Sequence, residues 1–229
     1  MSYYNDPIET ETYRGFTIDI LPDEDPPNPQ RDYEPFGVMV CFHGHYDLGA
    51  VDHQRPVAAN YHTEDYDGWQ GLHDAIAADH PGAVILPLSL LDHSGITMQV
   101  GSGAFGCDPG GWDSGSVGFI FASESAMRVA RGGGTTPISA DDRDDATTWL
   151  RGAVEEYARY LEGAAVRYLV TAPSGATIAS CGGFYDLADV LTEARVDVDG
   201  HIDVLSAALD DVRDITKGLA LVALGGGAS

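Results

Sequence analysis

The chain has 229 residues and a formal net charge of −24, from 36 Asp and Glu against 12 Lys and Arg. This length suits one domain, and an apolar fraction of 44% supports a core and excludes a disordered chain. No run approaches the ~18 apolar residues of a membrane span, and residues 1–20 lack the basic start of a signal peptide, so we expect a cytoplasmic protein without membrane contact.

The first third of the chain predicts strands separated by irregular segments. Tyr13–Ile20 alternates between polar and apolar residues and predicts a strand. Prolines make residues 22–35 an irregular loop. Phe36–Phe42 is a short, continuous apolar run and predicts a buried strand, whereas Asp67–His80 places its apolar residues on one stripe of a helix.

The middle of the chain predicts three further strands. Ala83–Leu91 is the most hydrophobic segment and predicts a core strand, in which Pro87 indicates an edge or a bulge. Ile96–Val100 is expected to pair with it. The glycine-rich loop Gly101–Gly115 then precedes a strand at Ser116–Ser123, and Ser123 can cap a short helix.

The last third predicts helices around a hairpin. Residues 132–138 predict a flexible break, and Ser139 is the expected N-cap of a helix at Asp141–Gly163. A Pro-Ser-Gly turn predicts a hairpin between Val166–Ala172 and Ala176–Cys181. Two amphipathic helices follow, near Tyr185–Arg195 and Ile202–Asp214. The order of these strands and helices along the chain predicts an α+β fold. We expect an antiparallel or mixed sheet covered by helices, in a single domain over residues 1–229.

The acidic charge is spread over the whole chain, and Lys217 is the only lysine. Such a surface repels itself in dilute buffer, and salt screens that repulsion. The pattern is typical of proteins from salt-accumulating microbes. There are two alternatives: a protein that mimics the DNA phosphate backbone, and an acidic protein from a mesophilic organism that lives in ordinary salt. Direct nucleic-acid binding is not expected, since phosphates would be repelled.

Three cysteines, Cys41, Cys107 and Cys181, lie far apart and form no C-x-x-C pair. This spacing argues against a disulfide framework and against a structural zinc site. It predicts mostly buried thiols in a reducing compartment. We expect no cofactor.

The segment His43-Gly44-His45-Tyr46-Asp47 directly follows a predicted buried strand. Imidazoles on a turn after a rigid strand can bind one metal ion, and a nearby Asp can hold a second ion or a water. The spacing resembles the first half of the metallo-β-lactamase-fold signature H-x-H-x-D-H, with Leu48 in place of the last His. His43, His45 and Asp47 are therefore candidate metal ligands, but a polar loop without metal is the favoured interpretation, and we expect no tight metal site.

The loops between residues 92 and 115 carry the densest mix of ionisable and small residues. His93, Cys107 and Asp113 lie on loops between successive strands and could meet at one end of a sheet. Together they would form a thiolate nucleophile, its base and an orienting carboxylate. The alternative is that Asp and Ser make local hydrogen bonds in tight turns and that Cys107 packs in the interior.

Several motifs follow one another along the chain: Tyr13-Arg14-Gly15-Phe16, residues 39–43, Asp92-His93-Ser94-Gly95, Cys107 with residues 112–120, and residues 180–185. In this order they resemble a family of uncharacterised proteins encoded by tailed viruses of bacteria and archaea. The W-D-S-G-x-V-G-F-I segment at residues 112–120 is the most specific part. The resemblance implies a viral origin and no mechanism. Family members carry Arg at the position of His45, which argues further against a metal site.

The sequence thus predicts a virus-encoded accessory protein, adapted to high salt, in the host cytoplasm or the virion. Its activity stays open among three classes: a Cys-His-Asp or metal-assisted hydrolase, an acidic anti-defence or DNA-mimic protein that binds a host or viral protein, and a minor virion component. A cluster of Asp92, His93, Cys107 and Asp113 around a concave pocket would favour the enzyme. A one-sided acidic stripe would favour the mimic, and a large flat apolar patch would favour assembly.

The charge distribution predicts that folding depends on salt. We expect the midpoint of thermal unfolding to rise steeply between about 0.1 M and about 1 M KCl, because the screening length falls from roughly 10 Å to roughly 3 Å. Calorimetry or circular dichroism across this range measures the effect. A midpoint that does not change with KCl would contradict adaptation to high salt.

Overall fold

The computed structural model describes residues 6–50 and 61–225. Within them the chain forms eight strands and four α-helices. The strands are β1 (Glu9–Tyr13), β2 (Phe16–Pro22), β3 (Val38–Cys41), β4 (Val84–Asp92), β5 (Ile96–Val100), β6 (Ser114–Ala122), β7 (Val166–Thr171) and β8 (Thr177–Phe184). The helices are α1 (Gly68–Asp79), α2 (Glu124–Ala130), α3 (Ala140–Leu161) and α4 (Leu187–Gly225).

The strands form two antiparallel sheets, with the orders β1-β2-β7-β8 and β3-β6-β4-β5. The α+β class is therefore confirmed, and its strands pair only in the antiparallel sense. The chain divides into two compact units, one within residues 1–24 and 165–229 and the other within residues 25–164. Each unit has its own hydrophobic core. The single domain over residues 1–229 stays a prediction.

Most elements lie where the sequence predicts them. From β3 to β8, each end of a strand or helix falls within three residues of its predicted position. Ser139 caps α3 as expected, since its hydroxyl accepts from the Asp142 amide while the Asp142 carboxylate accepts from the Ser139 amide. Residues 23–37 and 131–139 form neither helix nor strand.

The strand predicted at Tyr13–Ile20 is confirmed from Phe16 onwards, whereas its first residues are wrong because a hairpin turn separates Tyr13 from Phe16. β1 ends at Tyr13 and β2 begins at Phe16. Between them Arg14 and Gly15 have φ angles of 50° and 88°. Positive φ at both central residues is the geometry of a two-residue hairpin loop, in which the first position usually carries Asn, Asp or Gly. Arg14 gives no such signal, so the turn could not be read from the sequence.

The two helices predicted near residues 185–195 and 202–214 are also wrong, since they form one helix, α4, of 39 residues. The residues between them include Gly200 and no proline. A glycine costs a helix about 1 kcal/mol relative to alanine but does not break it. The first half of α4 buries Val190, Ala194 and Val198 against its sheet. Among the described residues, no helix is both long and apolar enough to cross a bilayer.

The second unit is a three-layer arrangement with its sheet in the middle. On one face, Phe119 and Phe121 of β6 pack with Leu72 and Ile76 of α1. The other face contributes Ile120 and Ala122 of β6 to the core that includes Leu150 and Val154 of α3. The side chains of β6 alternate between the two helix layers, as a central strand requires.

Pro87 lies in a strand inside the sheet, since β4 pairs with both β5 and β6. The edge position that the proline suggested is therefore wrong, whereas the bulge is present. The register between β4 and β6 shifts between Leu88, opposite Gly118, and Ser89, opposite Ser116. Val117 is the extra residue of β6, and a bulge of this kind bends and twists its strand.

At Gly118 the backbone of β3 leaves no space for a side chain on β6. The φ angle of Gly118 is 149°, and a Cβ atom here would lie 1.9 Å from the carbonyl oxygen of Val40. We expect Gly118→Ala to destabilise the protein by about 3 kcal/mol or to prevent folding, because the backbone of β3 must move. Denaturant unfolding measures the difference.

The matched control for this substitution is Gly152→Ala on the exposed side of α3, where an added Cβ meets open space. This change is expected to stabilise the protein by about 1 kcal/mol, since alanine favours a helix interior. A Gly118→Ala protein as stable as the wild type would show that the pairing of β3 with β6 is incorrect.

Candidate functional site

A cleft of about 360 Å³ opens at one end of the β3-β6-β4-β5 sheet. Both β3 and β4 are antiparallel to β6, so their final residues meet the first residues of β6 at the same end. The lining residues follow β3, end β4 and lead into β6: His43, His45, Leu90, Asp92, Trp112, Asp113, Ser114, Gly115, Ser116 and Val117.

Backbone hydrogen bonds beyond the strands hold these loops side by side. The Phe42 amide donates to the Val117 carbonyl at 2.7 Å, and the Asp92 amide donates to the Asp113 carbonyl at 2.7 Å. The segment after β3 and the loops at residues 92–115, which the sequence presents as separate motifs, therefore contribute to one site.

His93 and Asp113 form a hydrogen-bonded pair beside the cleft. The Nδ1 atom of His93 lies 2.8 Å from Oδ2 of Asp113, with the side chains 69% and 46% exposed. Asp113 lines the cleft directly, and His93 is joined to it through this bond. Within the described part of the chain, Nε2 of His93 has no hydrogen-bond partner, so this nitrogen is available to a ligand.

The turn between β4 and β5 fixes the backbone of His93. Its amide donates to the Gly95 carbonyl at 3.0 Å, and Ser94 adopts a φ of 61°. A non-glycine residue at positive φ is uncommon and is maintained by its surroundings. The imidazole is therefore presented from a short turn on a paired strand rather than from a long loop.

Asp108 organises the loop that carries Asp113. Its carboxylate accepts hydrogen bonds from the amides of Trp112 and Asp113, at 3.2 and 2.9 Å, and from the Ser114 hydroxyl at 2.8 Å. These bonds, led by the Asp113 amide, hold the pKa of Asp108 below its usual value. Sequence reasoning missed this residue, although an Asp directly before Pro109-Gly110 is a turn signal.

The histidines after β3 are ordered by ring contacts. His43 stacks on Tyr46 at 5.0 Å between ring centroids, and its Nδ1 accepts the His45 amide at 3.3 Å. The Tyr46 hydroxyl donates to Oδ1 of Asp92 at 3.2 Å, and this bond raises the pKa of Tyr46. Asp92 thus connects the histidine segment to the strand end that carries His93.

The candidate metal ligands are only partly brought together. His43 and His45 line the cleft, whereas Asp47 lines a neighbouring cleft of about 430 Å³ that shares His43. Across residues 6–50 and 61–225, no three His, Cys, Asp or Glu side chains are grouped so that they could hold one metal ion. The absence of a tight metal site at His43, His45 and Asp47 stays a prediction.

Cys107 takes no part in the hydrogen bonding between His93 and Asp113. No hydrogen bond among the described residues joins its Sγ atom to either partner, and Cys107 lines neither cleft. The expectation of mostly buried thiols is wrong, because Cys107 on its loop and Cys181 on the edge strand β8 are both exposed. Only Cys41 is buried among the three, and burial raises its thiol pKa to about 12.

This geometry predicts how the three thiols react. We expect a thiol reagent to label Cys107 and Cys181 in the native protein, and Cys41 only after unfolding, because Cys41 is buried and its thiol stays protonated. Mass spectrometry of the labelled peptides identifies each site. The rate at Cys107 should be the same in His93→Ala. A labelling rate at Cys107 that falls about tenfold in His93→Ala would show instead that His93 activates the Cys107 thiol.

Comparison with known proteins found no matching family model, curated sequence or solved structure. The resemblance to tailed-virus proteins therefore rests on the motif residues alone. No role is transferred to the site residues from a known protein, and their proposed roles rest on the distances and hydrogen bonds described above.

Proposed function

We propose that the cleft is a catalytic site in which His93, oriented by Asp113, activates water for hydrolysis. The hydrogen bond from Nδ1 of His93 to Asp113 carries this proposal. A carboxylate on Nδ1 selects the tautomer whose Nε2 has a free lone pair and stabilises the imidazolium after proton transfer. Nε2 can then take a proton from a water molecule above the cleft.

Direct attack by water fits this site better than a covalent intermediate. No described hydrogen bond joins Cys107 to His93, and the Ser114 hydroxyl donates to Asp108 and accepts from the Phe105 amide. Neither side chain is positioned as a nucleophile whose proton His93 could remove. The described residues also give a metal-assisted mechanism no group of three ligands.

The charges around the cleft favour a neutral substrate. Asp92 and Asp113 line it, and at contact distance their charges repel anionic groups such as phosphodiesters even where salt screens the rest of the surface. Trp112 lines the same cleft with 89% of its surface exposed. An indole in this position offers a flat apolar face against which a sugar or acyl group can stack. Esters and glycosides therefore fit the site better than nucleic acid.

The wider setting of this activity is also a proposal. The motif resemblance and the lysine-poor acidic composition support an accessory protein encoded by a virus of a halophilic host, acting in the host cytoplasm or carried in the virion. The cleft supports the hydrolase class among the three left open by the sequence. Asp92 and Asp113 line this concave surface and His93 is bonded to Asp113, so three of the four expected residues support that class, whereas Cys107 does not line the cleft.

The test is hydrolysis of neutral and anionic p-nitrophenyl substrates in molar KCl. We expect turnover of the acetate ester or of a glycoside, and little turnover of bis-p-nitrophenyl phosphate. His93→Gln and Asp113→Asn should each lower kcat by roughly 10²- to 10⁴-fold, the range for loss of general-base catalysis.

Two variants serve as matched controls. His73→Gln changes another histidine that contacts a carboxylate, Asp74 at 3.2 Å, but lies on α1 outside the cleft. Cys107→Ala removes the thiol that the sequence presents as a candidate nucleophile. Both should retain wild-type kcat. Activity that survives His93→Gln, or that is lost in Cys107→Ala, would contradict the proposal, as would the absence of hydrolysis of every substrate.

A further inference from the structure

The second half of α4 extends beyond the sheet on which its first half packs. Val190, Ala194 and Val198 are fully buried in the core of their unit, and Ile202 is half-buried. After Ile202, none of the α4 side chains that the structure describes is buried. Residues 203–219 span about 25 Å at 1.5 Å per residue.

This exposed part of α4 is strongly amphipathic. Its large apolar residues are between 49% and 69% exposed and fall within an arc of about 140° at 100° per residue. We name them the apolar stripe: Val204, Leu205, Leu209, Val212, Ile215 and Leu219. The charged residues of the segment all lie outside that arc: Asp203, Asp210, Asp211, Arg213, Asp214 and Lys217. A helix with one apolar face normally packs that face against a partner.

The spacing of the residues along the apolar stripe is the spacing of a helix that packs against a second, similar helix. Leu205, Leu209, Val212, Thr216 and Leu219 alternate steps of four and three residues. This 3.5-residue period keeps one seam of a helix facing another helix through successive turns, as in coiled coils. Ile215 lies directly beside the seam and widens it.

We infer that a second copy of this chain packs on the apolar stripe, so that two α4 helices form a dimer. The six side chains, about 60% exposed and about 100 Å² each when fully buried, supply roughly 700 Å² of apolar surface across two helices. A specific interface buries at least about 1,200 Å² in total, of which about 56–65% is apolar. The apolar area of the stripe is therefore close to the smallest that a specific interface needs. We accordingly expect a weak dimer that dissociates on dilution.

Charge favours a second copy over a membrane surface. The polar side of the exposed segment carries four Asp against one Arg and one Lys, whereas helices that lie on bilayers are rich in Lys and Arg. Two chains of charge −24 also repel each other in dilute buffer. Dimerisation should therefore strengthen with salt, because screening removes repulsion between the acidic surfaces.

The experiment is sedimentation equilibrium of the full chain in about 1 M KCl over a wide range of protein concentration. The monomer has a mass of 24.3 kDa, and we expect the average mass to rise towards twice this value with concentration. Leu209→Glu should weaken association at least about 30-fold, because a charge enters the seam. Leu209 is exposed in the monomer, so the variant should keep the wild-type thermal midpoint at protein concentrations at which both are monomeric.

Ala207→Glu is the matched control, since it adds the same charge to the same helix on the polar side. It should associate like the wild type. A chain that is monomeric at every concentration, or that associates equally well with Leu209→Glu, would overturn the inference. Binding of the monomer to vesicles of anionic phospholipid, lost in Leu209→Glu, would overturn it in favour of a membrane. The outcome is independent of the hydrolase assay, which probes the other unit.

Discussion

The arrangement of the second unit depends on one backbone contact, between β3 and β6 at Gly118. The carbonyl oxygen of Val40 occupies the space that a side chain at this position would need. With glycine here, β6 can pair with β3 on one side and β4 on the other. The same pairing brings the ends of β3 and β4 to the beginning of β6. The site therefore depends on a residue that does not line the cleft.

Local chemistry explains which parts of the fold could be predicted. β3 and β4 are continuous apolar runs because both faces of their sheet are covered by helices. The Arg14–Gly15 turn and the continuity of α4 through Gly200 were missed, because each depends on backbone conformation at residues without a strong preference. The division into two sheets depends on pairing between β2 and β7, far apart in sequence, which no local pattern encodes.

The individual residues of the site could be predicted from the sequence, but their arrangement around one cleft could not. His43, His45, His93 and Asp113 stand out in the sequence because ionisable residues follow apolar strands. Their convergence depends on the hydrogen bond between Asp92 and Asp113, which exists only once β4 pairs with β6. Cys107 was grouped with them by proximity in sequence, whereas in the structure it lines neither cleft and no described hydrogen bond joins it to His93. Asp108 itself acts mainly through backbone amides, so its role could not be inferred from charge or spacing.

The proposed function requires that Asp113 hold the His93 imidazole with Nε2 free to accept a proton. Nitrogen-15 NMR of the imidazole rings, at a pH where His93 is neutral and with the signals assigned by His93→Gln, reports directly which nitrogen carries the proton. We expect the Nδ1–H tautomer in the wild type and its loss in Asp113→Asn, since Oδ2 of Asp113 lies 2.8 Å from Nδ1 and can accept its hydrogen bond. A wild-type ring protonated on Nε2, or a tautomer unchanged in Asp113→Asn, would contradict the proposed function.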